Sequence, residues 1–313
     1  MCHKKDNIES RRTFIKLGLA AGCSAAVCGC GGNSITSQAE GETVKVLTPE
    51  GELVEVLKAQ LTPLPEEELV SNEEARKGIE GRRFVMVIDL GRCNNARKCI
   101  TACQKMHHQP EDKEWLQVKL MNDSDLTGPY WFPKTCYHCD NPPCVKVCPV
   151  NATFKRKDGL VLIDADRCIG CKFCMTACPY STRVFNWYEP EQSEEIAHCA
   201  SSPETSVPSQ IGTVDKCDFC PDMVRRGKLP DCVTACPNGV FYFGDENEDI
   251  VTNGPETVRL KKLLRDRAAY RYMEDLGTEP RVYYLPPSDR VVDFDSGFEG
   301  KSEELLNRYK RDI

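Results

Sequence analysis

The sequence predicts an α+β fold of short hairpins and one-turn helices that carry cysteine loops. Three observations predict it. Fifteen of the twenty cysteines fall into four spaced groups, CNNARKCITAC (93–103), CYHCDNPPCVKVC (136–148), CIGCKFCMTAC (168–178) and CDFC…CVTAC (217–236). Strand-like runs lie between and around those groups. Three of the groups end in Cys-Pro, at Pro149, Pro179 and Pro237.

The elements follow in chain order. Residues 1–30 read as a signal peptide: Ser10-Arg11-Arg12-Thr13-Phe14-Ile15-Lys16 is a twin-arginine export motif, and an apolar stretch from Leu17 to about Gly29 follows it. That stretch is too short and too rich in small residues for a stable membrane span. Cys23 and Cys30 each follow small residues, as at a lipoprotein cleavage site, but neither has the usual leucine three residues earlier. Cys30 is the better candidate for a lipid anchor, which would hold a soluble domain at a membrane surface. The leader implies a periplasmic protein exported already folded, so a metal cofactor could be assembled in the reducing cytoplasm first.

Residues 31–80 form a tether and a hairpin: Val44-Lys45-Val46-Leu47 and Leu53-Val54-Glu55-Val56 flank a Pro/Gly turn. Residues 62–80 read as a linker with a short helix. Residues 81–245 form the cysteine-bearing core, opened by the strand Arg83 to Leu90. Within it, Thr153-Phe154-Lys155 and Leu160-Val161-Leu162-Ile163 flank an Asp158-Gly159 turn, a hairpin signal. Each C-x3-C segment begins a short helix whose amide groups point at a negatively charged centre. Gly239 to Phe243 is the strand after the last Cys-Pro, and residues 190–213 read as a surface insertion. Residues 246–313 are a C-terminal extension with a polar, charged tail from Val291 to Ile313.

The third group is a C-x2-C-x2-C-x3-C-P run, the spacing that wraps a cubane iron–sulfur cluster. A disulfide scaffold needs no repeated C-x2-C pairs and no proline after the last cysteine. Structural zinc is satisfied by two such pairs per metal. The net charge of −7 excludes a nucleic-acid surface, which would need a basic stripe. No dinucleotide fingerprint, nucleophile elbow or H-E-x-x-H motif is present, so no second catalytic centre is indicated.

CYHCDNPPCVKVCP and KCDFCPDMVRRGKLPDCVTACP, the latter with eleven residues between Cys220 and Cys232, resemble a known family. It comprises the four-cluster electron-transfer subunits of DMSO, polysulfide and tetrathionate reductases and of formate-dependent nitrite reductase complexes. The resemblance covers roughly Arg83 to Phe243. It implies two nested ferredoxin-like two-cluster units with loop-rich insertions. Carried over residue by residue, it implies a first set Cys93, Cys99 and Cys236, and a second set Cys136, Cys139, Cys144 and Cys178. The third set is then Cys168, Cys171, Cys174 and Cys148, and the fourth Cys217, Cys220, Cys232 and Cys103.

Ala96 stands where the family has the missing thiolate of the first set. A [3Fe-4S] cluster would lack the unheld iron, so three [4Fe-4S] clusters and one [3Fe-4S] cluster are expected. The alternatives are that Cys199, His107 or His108 holds that corner, or that the cluster is lost. The histidines otherwise read as surface residues, and Cys199 as an unligated loop cysteine. In the family this set faces the catalytic subunit. The resemblance implies a relay between a membrane quinone-interacting subunit and a catalytic molybdopterin or multihaem cytochrome subunit. Tyr180, Arg183, Phe185, Trp187 and Tyr188 are expected to pack around the clusters and a partner face. The rival readings are a stand-alone enzyme with an open iron site, which would need a polar pocket around Ala96, and a structural metal scaffold.

Overall fold

The computed structural model describes residues 43–47, 53–57, 70–123, 127–188, 202–204, 209–288 and 290. The twin-arginine leader, Cys30, Cys199 and the tail lie outside these. β1 (Thr43–Leu47) and β2 (Leu53–Leu57) form the antiparallel hairpin read from the sequence. The linker helix is α1 (Asn72–Lys77), started by a capping box in which Ser71 and Glu74 satisfy each other's backbone N–H groups. Its Arg76 lies 3.9 Å from the Phe154 ring centroid and pairs with Asp164 at 3.0 Å, fastening the helix to the core.

A five-stranded sheet forms the back of the molecule. β3 (Phe84–Asp89) is an interior strand, flanked by β10 (Phe241–Asp245, antiparallel) and β13 (Val282–Leu285, parallel). β11 (Ile250–Thr252) and β12 (Thr257–Arg259) extend it in the order β12-β11-β10-β3-β13. Every residue of β3 is buried, which explains its unbroken apolar run: a strand covered on both faces has no reason to alternate. Phe84, Met86 and Ile88 face the cysteine-bearing core, while Val85 and Val87 pack against Tyr242 and Leu260. Leu260 opens α7 (Leu260–Asp266), which covers the outer face.

The strands of this sheet redraw the boundary at 245. Residues 246–285 supply three of its five strands, so the C-terminal extension completes the core rather than following it. β13 pairs with a strand nearly two hundred residues earlier, a contact that no local pattern announces.

The other elements are short. α2 (Lys98–Met106), α3 (Pro143–Lys146), α4 (Phe173–Ala177) and α6 (Asp231–Thr234) are the helices expected from the C-x3-C segments. α5 (Pro221–Arg225) follows the fourth C-x2-C pair. α2 packs on α6 and α3 on α4, so the first group lies beside the fourth and the second beside the third. The hairpins are β4 (Gln117–Met121) with β5 (Tyr130–Lys134), β6 (Thr153–Lys155) with β7 (Val161–Ile163), and β8 (Val184–Phe185) with β9 (Val214–Asp215). Among the described residues no helix is long and apolar enough to cross a membrane.

Candidate iron–sulfur centres

The backbone of each cysteine loop repeats a rule. In all four groups the residue two after the first cysteine takes a left-handed conformation: Asn95 (φ 59°), His138 (φ 43°), Gly170 (φ 66°) and Phe219 (φ 67°). Few side chains favour that region, so a recurrence at one position is a shared wrap and not local accident. After each Cys-Pro a second left-handed residue turns the chain: Asn151, Ser181 and Gly239. In two of these turns the next backbone N–H donates to the cysteine, Ala152 to Cys148 Sγ at 3.2 Å and Val240 to Cys236 Sγ at 3.5 Å. Hydrogen bonds to sulfur favour the thiolate, the form that binds metal.

The fold gathers the thiols. Cys136, Cys139, Cys144 and Cys178 line one small cavity, with Tyr137, Tyr180, Thr182 and Arg183. Cys99 neighbours Cys236 and Cys93; burial and those two sulfurs push its thiol up to about 12. Cys103 neighbours Cys217 and Cys232, and Cys220 neighbours Cys232, Cys103 and Cys217; burial drives Cys103 and Cys220 well above the ordinary thiol value. Cys174 neighbours Cys168 and Cys148.

Shared neighbours then link these clusters of thiols into a row. Cys99 lies near Cys103 and Cys232, Cys217 lies near Cys136, and Arg183 bears on both Cys144 and Cys174. Ala96 and Cys171, at the two ends, are both exposed. None of the fifteen cysteines forms a disulfide.

Side chains that the sequence did not single out hold the groups together. His138 is buried: Val161 N–H donates to its Nδ1 at 3.0 Å, and its Nε2 donates to the Cys217 carbonyl at 3.1 Å. Burial, with Lys216 and Lys155 nearby, keeps the ring neutral by lowering its pKa well below the usual histidine value. The ring stacks on Phe219 at 3.9 Å between centroids, so the left-handed residues of the second and fourth groups meet face to face. Residues 278–281 strap the second loop: Asp140 N–H donates to Glu279 O, Asn141 N–H to Thr278 O, and Arg281 N–H to Tyr137 O. Behind it, Tyr137 and Tyr284 hydroxyls lie 3.0 Å apart and Tyr284 donates to Pro133 O, closing the cavity with aromatic rings.

The residues present fit iron–sulfur clusters. Thiols in groups of three and four are the donor set such clusters take. Two buried polar groups beside them, Arg183 and Thr135, turn toward the thiols themselves: Arg183 toward Cys144 and Cys174, Thr135 toward Cys217. Arg183 also lines the cavity. Lys216, also buried, donates among the described residues to the carbonyls of Val161 and Cys217. Burying cations without counter-charge is costly, and cysteine-bound clusters would supply negative charge there.

Several expectations change. His107 is buried, not on the surface; its ring packs on Trp115 and its Nε2 lies 3.5 Å from Cys220 Sγ, at the fourth set and not at the corner vacated by Ala96. His108 is half-buried, with φ 49°. The insertion at 190–213 is not wholly superficial, because Glu204 is buried and bonds both Arg156 and Arg225 at 2.6 Å. Tyr180 and Arg183 are interior, whereas Trp187 and Tyr188 stand out with Ile169 and Phe173 as exposed apolar residues around the third loop. Position alone could not separate the two pairs.

Comparison with known proteins shows the family. A model of the 4Fe-4S dicluster domain matches residues 128–209 and 202–246. The chain is 34% identical over 310 residues to a selenate reductase subunit from Mesobacillus selenatarsenatis, covering 91% of this chain and all of that protein. It is 33% identical over 240 residues to a tetrathionate reductase subunit from Salmonella typhimurium, with 75% and 84% covered. To the menaquinone reductase iron–sulfur cluster-binding subunit of Nitratidesulfovibrio vulgaris it is 36% identical over 234 residues, with 65% and 88% covered. The chain therefore belongs to the family of iron–sulfur subunits of respiratory reductases, which includes those of selenate, tetrathionate and dimethyl sulfoxide reductases.

Proposed function

We propose that this chain is an exported electron relay built from two nested two-cluster units. It holds three [4Fe-4S] clusters and one [3Fe-4S] cluster, and links a membrane quinone-interacting partner to a catalytic molybdopterin or multihaem subunit. The observation that carries this reading is the row of thiol sets, first, fourth, second, third, with both ends at the surface. Bound there, the clusters would exchange single electrons at potentials set by ligands, hydrogen bonds and burial.

The chain's own residues supply the rest. The aromatic wall of Tyr137, Tyr180, Tyr272 and Tyr284 keeps water from the second set. Backbone N–H groups bond Cys148 and Cys236. At the first set, Cys93, Cys99 and Cys236 suit a three-iron cluster, since Ala96 offers no ligand. The apolar residues around Cys171 suit a docking face, and the family's arrangement assigns the Ala96 end to the catalytic subunit. Export rests on the twin-arginine leader, with Cys30 as the lipid-anchor candidate.

The test is anaerobic purification of the whole chain, with iron, sulfide and spin quantitation. The relay predicts three four-iron clusters and one three-iron cluster per chain, and no turnover without a partner. Zinc in place of iron, or substrate turnover by the isolated chain, would sink it.

A further inference from the structure

Three arginines are nearly inaccessible, and they are treated differently. Arg156 pairs with Asp158 and Glu204, and Arg281 with Asp140 and Glu246. Arg183 pairs with no carboxylate among the described residues. Among the described residues its one hydrogen bond to oxygen is from Nη1 to Thr153 Oγ1 at 3.2 Å; the other groups it meets are the thiols of Cys144 and Cys174. A desolvated guanidinium that meets one hydroxyl and two neutral thiols is an unfinished arrangement, because the charge has left water without meeting an anion.

Its location says which anion is missing. Arg183 lines the cavity of Cys136, Cys139, Cys144 and Cys178, and its charge bears on Cys144, then on Cys174 of the third set. Arg183 lies five residues after Cys178, and Thr153 five residues after Cys148. The two Cys-Pro turns therefore place corresponding residues in contact between the two sets. The corresponding residue after Cys236 is Phe241, so the other end of the row has no such cation. There the buried neighbour of Cys220 and Cys103 is a carboxylate, Asp218.

We propose that Arg183 is a shared counter-charge for the second and third cluster sites, raising the reduction potential of both and leaving the first and fourth to their own surroundings. This rests on the relay reading above. Arg183 is a positioning and tuning residue and ligates nothing. A fixed positive charge in a desolvated site favours the more negative, reduced state of whatever it faces, and it reaches both sites because it stands between them.

The experiment is redox titration of the whole chain monitored by electron paramagnetic resonance, comparing wild type with Arg183→Gln, Arg183→Met and Arg183→Lys. The two neutral variants should move two of the four couples to lower potential, each by at least a tenfold change in the reduction equilibrium, about 59 mV for one electron. Arg183→Lys should bring both back toward wild type, since the charge is retained. If the methionine variant does not assemble, the glutamine and lysine pair decides. A shift in one couple alone, an equal shift in all four, no shift, or a lysine variant that behaves like glutamine would overturn the proposal. A wild-type chain without four clusters would instead overturn the relay reading, so the two failures are distinguishable.

Discussion

The first and third cysteine loops are the same piece of backbone carrying different side chains, and one of the differences removes a thiol. Each follows a single 3-10 turn, Leu90–Arg92 or Ala165–Arg167, and the cysteine that ends it donates its N–H back, to Leu90 O at 3.3 Å or Ala165 O at 3.1 Å. Cys93 has φ −80° and ψ 120°, Cys168 φ −72° and ψ 120°. Two residues on, Asn95 and Gly170 are left-handed; two further on, so are Arg97 (φ 55°, ψ 3°) and Lys172 (φ 61°, ψ 5°), each opening a helix. Between them sits Ala96 in one loop and Cys171 in the other, both exposed. Local hydrogen bonds and left-handed residues therefore hold the wrap without a thiol in the slot. The loop at Ala96 has the same backbone shape as the loop at Cys171.

The reciprocal exchange at that slot should have the largest effect. Cys171→Ala gives the third loop the first loop's residue at this slot, and Ala96→Cys does the reverse. Under the ligand sets proposed above, oxidised Cys171→Ala should show two three-iron signals per chain and Ala96→Cys none, against one in the wild type. Spin quantitation of the oxidised proteins measures this. If Ala96→Cys keeps its three-iron signal, the slot is not what limits that site, and the equivalence of the two loops fails where it matters.

What could be read in the sequence follows the reach of its signals. The cysteine loops, the Asp158-Gly159 hairpin and the helices from the C-x3-C segments are encoded within about a dozen residues, and they stand where the spacing put them. β3 was legible because burial on both faces leaves an apolar run. The strap of Thr278 to Arg281 over the second loop was not, nor was β13 beside β3, because each depends on partners more than a hundred residues away. His107 illustrates the same limit. It is a polar residue just beyond a cysteine group, and only the fold reveals that it is buried against a thiol and not set in water; for Arg183, expected around the clusters and a partner face, the fold decides for the cavity wall.

The two loops differ in what surrounds their left-handed residue, and this yields the next smaller effect. A Cβ on Gly170 would overlap the Gly212 carbonyl oxygen, which is backbone and cannot swing aside. Asparagine tolerates the left-handed region better than other residues with a Cβ. Gly170→Asn therefore copies the first loop's residue and isolates the overlap, with a cost of about 1–3 kcal/mol. In a thermal melt that is a fall of roughly 2–12 °C. An unchanged melting temperature would mean that the β8–β9 hairpin shifts freely, and that the third loop is no more constrained than the first.

The opposite substitution should do least. Asn95→Gly gives the first loop the third loop's residue at a position where φ is 59°, which glycine adopts without strain. The relief of left-handed strain is set against the greater entropy of glycine in the unfolded chain and the loss of the asparagine side chain's own contacts. These are opposing terms of about 1 kcal/mol or less, so the melting temperature should stay within roughly 3 °C of the wild type. A larger fall would show that Asn95 braces the first loop through its side chain, a support the third loop obtains instead from the packing of Gly170 under Gly212. Equality of the two loops would then hold for their backbones alone. The asymmetry between the two exchanges, one costly and one neutral, is what the backbone match combined with the different packing requires.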